Sequence, residues 1–194
     1  MSIKTKYLSA TEEYFHVYNR GINHSKIFLE PLNYSYFLRR IEENLDCTQL
    51  KIIAYCLMPN HYHFILKQIV PSAMSNFIKG VCDGYTKALN KKYNRSGHLF
   101  EGKYKLKNID DSSYLVHLSC YVHLNPVSSG IVNQPENWEY SSCRAYLGIA
   151  PNTMISPEIV LNQFANIHAY KKYLEDFSST EKEKIKVFLF DEEY

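Results

Sequence analysis

A chain of 194 residues with a hydrophobic fraction of 45% and a net charge of +2 fits one domain with a real core, or one domain with a substantial C-terminal addition. Its five cysteines (Cys47, Cys56, Cys82, Cys120 and Cys143) are scattered, odd in number and form no Cys-x-x-Cys pair, which argues against a disulfide framework and a structural zinc site. Met1 to Ala10 has no long apolar leader, and nothing downstream approaches the ~18 continuous apolar residues of a membrane span, so the expected setting is cytoplasmic and reduced, with no membrane partner.

Tyr14–Asn19 (YFHVYN) is rich in aromatic and β-branched residues and stops at Arg20-Gly21, as a strand running into a turn does. Pro31 stands in the first turn of a helix to about Leu45, with Tyr34, Phe37, Leu38, Ile41 and Leu45 as its apolar stripe. Leu50–Met58 is a nearly continuous apolar run, hence a central strand. After the break at Pro59-Asn60, His61–Lys67 alternates as a second strand, and the two form a hairpin. Pro71–Tyr93 carries Met74, Phe77, Ile78, Val81, Tyr85, Ala88 and Leu89 at helical spacing and is broken by Asn94–Gly97. Leu99–Asn108 reads as a basic strand. Asp111–Ser113 supplies an N-cap for a helix from Ser112 to Leu124, which Asn125-Pro126 ends because the residue before proline is steered out of the helical region. Short helices follow near 140–147, 157–164 and 167–177. This order predicts an α+β fold, an antiparallel-centred sheet with helices on one face, followed by a packed helical C-terminal extension.

The charge is unevenly distributed. From Lys79 to Lys107 there are eight basic residues (Lys79, Lys87, Lys91, Lys92, Arg95, Lys103, Lys105 and Lys107) against Asp83 and Glu101, while the chain ends on Asp191, Glu192 and Glu193. That asymmetry fits a nucleic-acid face on an otherwise balanced protein, with Tyr93, Phe100 and Tyr104 interleaved to stack bases; it also fits a solvated helix and edge strand. The 17 tyrosines suit base stacking and equally suit a half-buried sheet.

Two segments carry candidate chemistry. His61 and His63 are two apart on a strand, so both imidazoles leave one face and can converge on one ion, with Tyr62 in the opposite layer. Two histidines leave most coordination positions open, as a catalytic metal requires. The same pair can also be two imidazoles satisfied by local hydrogen bonds. On the third helix His117, Tyr121 and Asn125 are spaced i, i+4, i+8 and share a stripe. A phenol with a free pKa of about 10 needs a metal or base to act as a nucleophile. The Asn125 oxygen can complete a metal shell, and His117 is either a third ligand or a proton-transfer group. Tyr121 fits a core tyrosine too, and His123 points elsewhere as a packing or surface residue.

Read together, the stretches HVYNRGINHSKIF (His16–Phe28), AYCLMPNHYHFIL (Ala54–Leu66), NKKYNRSGHLFEGKYK (Asn90–Lys105) and YVHLNPVSSGIV (Tyr121–Val132) resemble the single-tyrosine HUH transposases, especially the REP-associated tyrosine transposases. The resemblance covers roughly Tyr14 to Gly148. It implies a ferredoxin-like sheet whose His-hydrophobic-His strand faces a helix bearing the tyrosine. By position, it implies that His61 and His63 bind Mg²⁺ or Mn²⁺, that Tyr121 attacks the scissile phosphate, and that Asn125 occupies a polar, metal-directed position. Tyr62 departs mildly from the pattern, an aromatic residue where an aliphatic one is usual.

The domains expected are a catalytic domain over residues 1–148 and a helical extension over 149–194. The expected partner is single-stranded or hairpin DNA, cut and rejoined through a 5′-phosphotyrosine intermediate by a monomer or homodimer. The DNA contacts expected are Asn19, Arg20, Lys87, Lys91, Lys92, Arg95, Lys103 and Lys105; for Asn19-Arg20-Gly21 the alternative is that Gly21 serves a positive-φ turn. A non-catalytic DNA-binding regulator derived from a transposase is the other reading, as is a domesticated, non-mobile relative.

Overall fold

A computed structural model of the chain describes residue 7 and residues 9–45 and 48–177. Expectations about the leader segment at residues 1–6 and 8, Cys47 and the acidic terminus at Asp191–Glu193 lie outside the described residues. Among the described residues four strands, β1 (Glu13–Arg20), β2 (Leu50–Met58), β3 (His61–Gln68) and β4 (Lys105–Ile109), form one sheet in the order β2-β3-β1-β4. Every neighbouring pair is antiparallel. Helix α1 (Pro31–Leu45) links β1 to β2, and α2 (Ala73–Lys92) links β3 to β4. This is the α+β class expected from the order of elements and the ferredoxin-like arrangement that the resemblance implies, with the two crossover helices on one face of the sheet.

The hairpin fixes the register that matters. Pro59-Asn60 turns the chain so that Met58 faces His61 across β2 and β3. From there β3 runs beside β1 with Arg20 opposite His61, Tyr18 opposite His63 and His16 opposite Ile65. Because side chains alternate along a strand, Tyr62, Phe64 and Leu66 leave one face of β3, and His61 and His63 leave the other. The first face is covered by α1 and α2. There Tyr62 meets Phe37 and Phe100 at ring-centroid distances of 5.9 Å and 5.7 Å, and Phe64 meets Phe77 edge-on at 6.0 Å. The two helices approach closely because α2 presents glycines: a Cβ on Gly80 would lie 1.9 Å from the Asn44 amide oxygen, and one on Gly84 2.6 Å from Arg40 Nε. Arg40 uses that space to donate to the Gly80 carbonyl at 2.9 Å.

The opposite face carries α3 (Ser112–Ser128), capped by Asp111 accepting from the Tyr114 N–H at 2.9 Å. The chain after α3 packs beside it through α4 (Cys143–Tyr146), α5 (Glu158–Leu161) and α6 (Ile167–Glu175). Val160, Tyr170 and Leu174 are buried there. Between these helices the chain runs along the outer edge of β2. The Leu57 N–H donates to the Tyr140 carbonyl, Ser142 N–H to Tyr55 and Ser156 N–H to Ile52, at 2.8–3.0 Å. That edge of the sheet is thereby closed.

Three local expectations are corrected. The strand expected from Leu99 begins only at Lys105: Phe100 makes a single bridge to Gly21, and the chain then bends through Gly102, at φ +72°, before joining the sheet. Leu99 and Phe100 are buried by packing rather than by strand pairing. The third helix does not stop at Asn125-Pro126 but runs to Ser128. A proline this near the C-terminus deletes one intrahelical bond, and burial of Asn125 and Pro126 outweighs the pre-proline bias. The helix ends instead with Ser129 N–H on the Asn125 carbonyl and Gly130 at φ +67°. Gly21, finally, has φ −67°; the positive φ values fall on Asn23 and His24. Glycine is needed because a Cβ would sit 2.1 Å from the Ser25 carbonyl oxygen.

Candidate active site

Strand β3 and helix α3 bring the four expected site residues together. His63 is fully buried, His61 is partly exposed, and Asn125 of α3 lies between them. The Asn125 carboxamide reaches both rings, with Oδ1 3.3 Å from His61 Nε2 and Nδ2 3.4 Å from His63 Nε2. One turn earlier, the half-buried Tyr121 ring stands edge-on to His63 at a centroid distance of 5.7 Å. The i, i+4 spacing puts Tyr121 and Asn125 on one side of α3, and continuing the helix through Pro126 keeps both in that stripe. His117, at the next position up the stripe, is drawn away: its ring is stacked with Tyr173 of α6 at 6.1 Å, with an interplanar angle of 4°. His123 is a packing residue, fully buried, bonded through Nδ1 to the Tyr170 hydroxyl at 2.8 Å and through Nε2 to Ser142 Oγ at 2.7 Å.

Two partners were not picked out in the sequence. Asn60 Oδ1 lies 2.7 Å from His61 Nδ1, and His16 Nε2 lies 3.0 Å from His63 Nδ1. The signal for His16 was its alternation with Tyr18 on the face of β1 that adjoins β3, but it acquires meaning only once the pairing of the strands is known. Burial holds His63 down to about 3, and it drives His16 well below the usual histidine range, assisted by His63 and by the positive charge of Lys107. Both rings are therefore neutral at pH 7.

A neutral imidazole with a free lone pair is what a divalent ion requires. Asn60 Oδ1 can only accept, so it fixes the proton of His61 on Nδ1 and leaves the Nε2 lone pair facing the Asn125 oxygen. Two lone pairs opposed at 3.3 Å are the kind of arrangement that a cation between them relieves. Among the described residues no group of three or more His, Cys, Asp or Glu converges in this way. His61, His63 and the Asn125 carboxamide are the donor set that fits an ion here, with further positions left open.

The expected DNA-contacting residues divide between two regions. On the histidine face, a cleft of about 360 Å³ beside His61 is lined by Arg20, Lys105 and Asn60, with Arg20 ion-paired to Glu101. On the other face, a groove of about 850 Å³ between α2 and residues 98–106 is lined by Lys87 and Lys103, together with Lys79 and Tyr104. Asn19 faces this groove; its side chain donates to the Gly102 carbonyl at 3.3 Å and accepts from the Arg20 N–H at 2.9 Å. Lys91 and Arg95 are exposed at the end of α2, and Lys92 pairs with Glu30. Of the interleaved aromatics, Tyr93 bonds Glu30 at 2.8 Å, and Phe100, itself buried, lines the groove with Tyr104.

No helix among the described residues is long and apolar enough to cross a membrane. Among solved structures, the chain is similar to a REP-associated tyrosine transposase bound to a REP hairpin, with a TM-score of 0.63 and 16% identity over 76% of this chain and 93% of that one. Weaker likenesses are to a candidate transposase from Deinococcus radiodurans R1 (TM-score 0.42, 11% identity, 55% of this chain and 86% of that one) and to a bacterial tRNA(His) guanylyltransferase-like protein in complex with GTP (TM-score 0.39, 8% identity, 66% and 73%). These two are too distant to carry weight, and the first supports the fold alone. No curated protein matches the sequence. The sequence itself matches the family model described as Transposase IS200 like over residues 9–125, more than half of the chain and a span that takes in His61, His63, Tyr121 and Asn125. The chain belongs to the IS200-like transposase family.

Proposed function

We propose that the protein is a metal-dependent endonuclease and strand transferase for single-stranded or hairpin DNA, working through a 5′-phosphotyrosine on Tyr121. The observation that carries the reading is the position of the Tyr121 ring, edge-on to His63 and one helical turn from the carboxamide that links His61 and His63. The hairpin DNA named with the similar solved structure supports the choice of substrate.

The Tyr121 oxygen attacks the scissile phosphorus in line with the departing 3′-oxygen. The bond from phosphorus to that oxygen breaks, the phenol proton is released, and the departing oxygen takes up a proton to become a free 3′-hydroxyl. The 5′ phosphate remains on Tyr121. Attack by another 3′-hydroxyl reverses these steps and joins the strands without external energy, because the phosphotyrosine conserves the bond. A Mg²⁺ or Mn²⁺ ion held by His61, His63 and Asn125 would polarise a phosphate oxygen and stabilise the charge of the transition state. Asn60 orients His61, and α3 holds Tyr121 and Asn125 at a fixed spacing. Lys105 in the adjoining cleft attracts the phosphate backbone, and Lys87 and Lys103 line a second path on the far side of the sheet. An unpaired strand meets the demands of this site because it can bend into the cleft without melting a duplex there.

Incubation with labelled hairpin DNA and Mn²⁺, followed by a denaturing gel and mass spectrometry, tests the reading. A covalent adduct on the peptide containing Tyr121 is expected. Tyr121→Phe should abolish it while leaving hairpin binding largely intact. Tight binding without any adduct across a broad hairpin pool would replace the enzyme by the DNA-binding regulator.

A further inference from the structure

The stretch HVYNRG contains a histidine that the proposed chemistry does not use. His16 is fully buried in the middle of β1, between the histidine pair on β3 and Lys107, its register partner on β4. Its ring lies against His63 at a centroid distance of 5.2 Å and an interplanar angle of 13°, with His16 Nε2 3.0 Å from His63 Nδ1.

A single proton can occupy the contact between two neutral imidazoles. If it belongs to His16, the other proton of the pair moves to His63 Nε2, and His63 presents an N–H to the site where a ligand needs a lone pair. If it belongs to His63, His16 Nε2 accepts, and His63 Nε2 carries a lone pair rather than a proton. The Asn125 amide nitrogen, 3.4 Å from His63 Nε2, favours the second arrangement because an amide N–H donates. His61 provides a parallel. There the same ring atom, Nδ1, faces the Asn60 oxygen at 2.7 Å, which leaves Nε2 directed to Asn125. Each member of the pair thus has its Nδ1 engaged and its Nε2 turned to the site.

The remaining nitrogen of His16, Nδ1, is buried without a hydrogen-bond partner among the described residues. A side chain present only to fill space would be better apolar, since it would leave no polar atom stranded.

From this geometry we infer that His16 is a positioning residue: it accepts the Nδ1 proton of His63 and so holds the Nε2 lone pair of that ring ready for a divalent cation. The role rests on the reading of His61 and His63 as metal ligands. Partners of this kind orient ligating imidazoles and raise their basicity, and their loss costs about 10–100-fold in metal affinity.

The test uses the full chain and MnCl₂ alone, followed by titration calorimetry. His16→Phe, which keeps the ring but offers no acceptor, should bind Mn²⁺ about 10–100-fold more weakly. His16→Gln, whose amide oxygen can reach the Nε2 position, should recover most of the affinity. Wild-type affinity in a cooperatively folded His16→Phe protein would overturn the role of His16 and leave the metal reading standing. Absence of Mn²⁺ binding by the wild type would overturn the metal reading, and the role of His16 with it. Should His16→Phe fail to fold, long-range ¹H–¹⁵N spectra of the metal-free wild type decide the matter. The proton of His63 is expected on Nδ1, and a proton on Nε2 would overturn the inference.

Discussion

The two faces of strand β3 are both dry at their centre and built on opposite terms, although the histidine face opens at His61. Tyr62 and Phe64 on one side and His63 on the other are all at 0% exposure. On the side of α1 and α2 the contacts are ring against ring, with Phe37, Phe77 and Phe100. On the other side polar groups run in series, from Asn60 through His61, Asn125 and His63 to His16. Burial alone therefore does not separate scaffold from site in this molecule. What separates them is where substitution does harm: loss of volume on the first face destabilises the fold, whereas loss of an acceptor on the second should spare the fold and impair the chemistry.

The largest effect that would sharpen this contrast is Tyr62→Ala, expected to cost about 3–5 kcal/mol because a buried aromatic leaves a cavity beneath two helices. Urea denaturation measures it, and a loss below about 1 kcal/mol would dissolve the distinction between the faces. Acid should act next. His63 and His123 are both held down to about 3 by burial, against 6.5 for an unperturbed ring. Below 6.5 the unfolded chain takes up protons that the folded one refuses, so the stability these rings contribute is present above 6.5 and lost as pH falls toward 3. Each can contribute up to about 1.4 kcal/mol per pH unit in that window. Urea midpoints of the metal-free protein between pH 7 and pH 5 should therefore decline, and His123→Phe should flatten the decline if its ring fits the space. The smallest effect is expected from Lys105→Ala, which should leave stability unchanged, weaken hairpin binding and lower the salt slope of that binding by about 1. An unchanged slope would remove the cleft beside His61 from the DNA path.

The parts legible in the sequence are those with an uninterrupted period. Helix α1 and strand β2 run over 31–45 and 50–58, as their apolar patterns predict, and the alternation of β3 separated His61 and His63 from Tyr62 correctly. Tyr121 and Asn125 share a side of α3 because helical spacing alone requires it, whereas packing turns that side toward His63 on β3. The failures arise where distant segments decide. Leu99 and Phe100 look like strand residues but are buried by contact with the end of β1, including the single bridge to Gly21. Pro126 reads as a stop signal until packing holds the helix together past it. Gly21 answers to a carbonyl four residues on, not to its own dihedral angles. The role of His16 is not legible locally because its partner is 47 residues away, on a strand whose register no local pattern reveals.

His123 has a consequence for motion. It stands two residues from Tyr121 on the same helix, and its ring is bonded at both nitrogens, to Tyr170 of α6 and to Ser142 beside β2. A helix pinned at that point through two other segments cannot swing like a lever without breaking two buried hydrogen bonds at once. Under the proposed chemistry the nucleophile is consequently an anvil rather than a hammer. The travel needed to align attacking and departing oxygens falls to the DNA, and a flexible unpaired strand can travel that distance where a stiff duplex cannot.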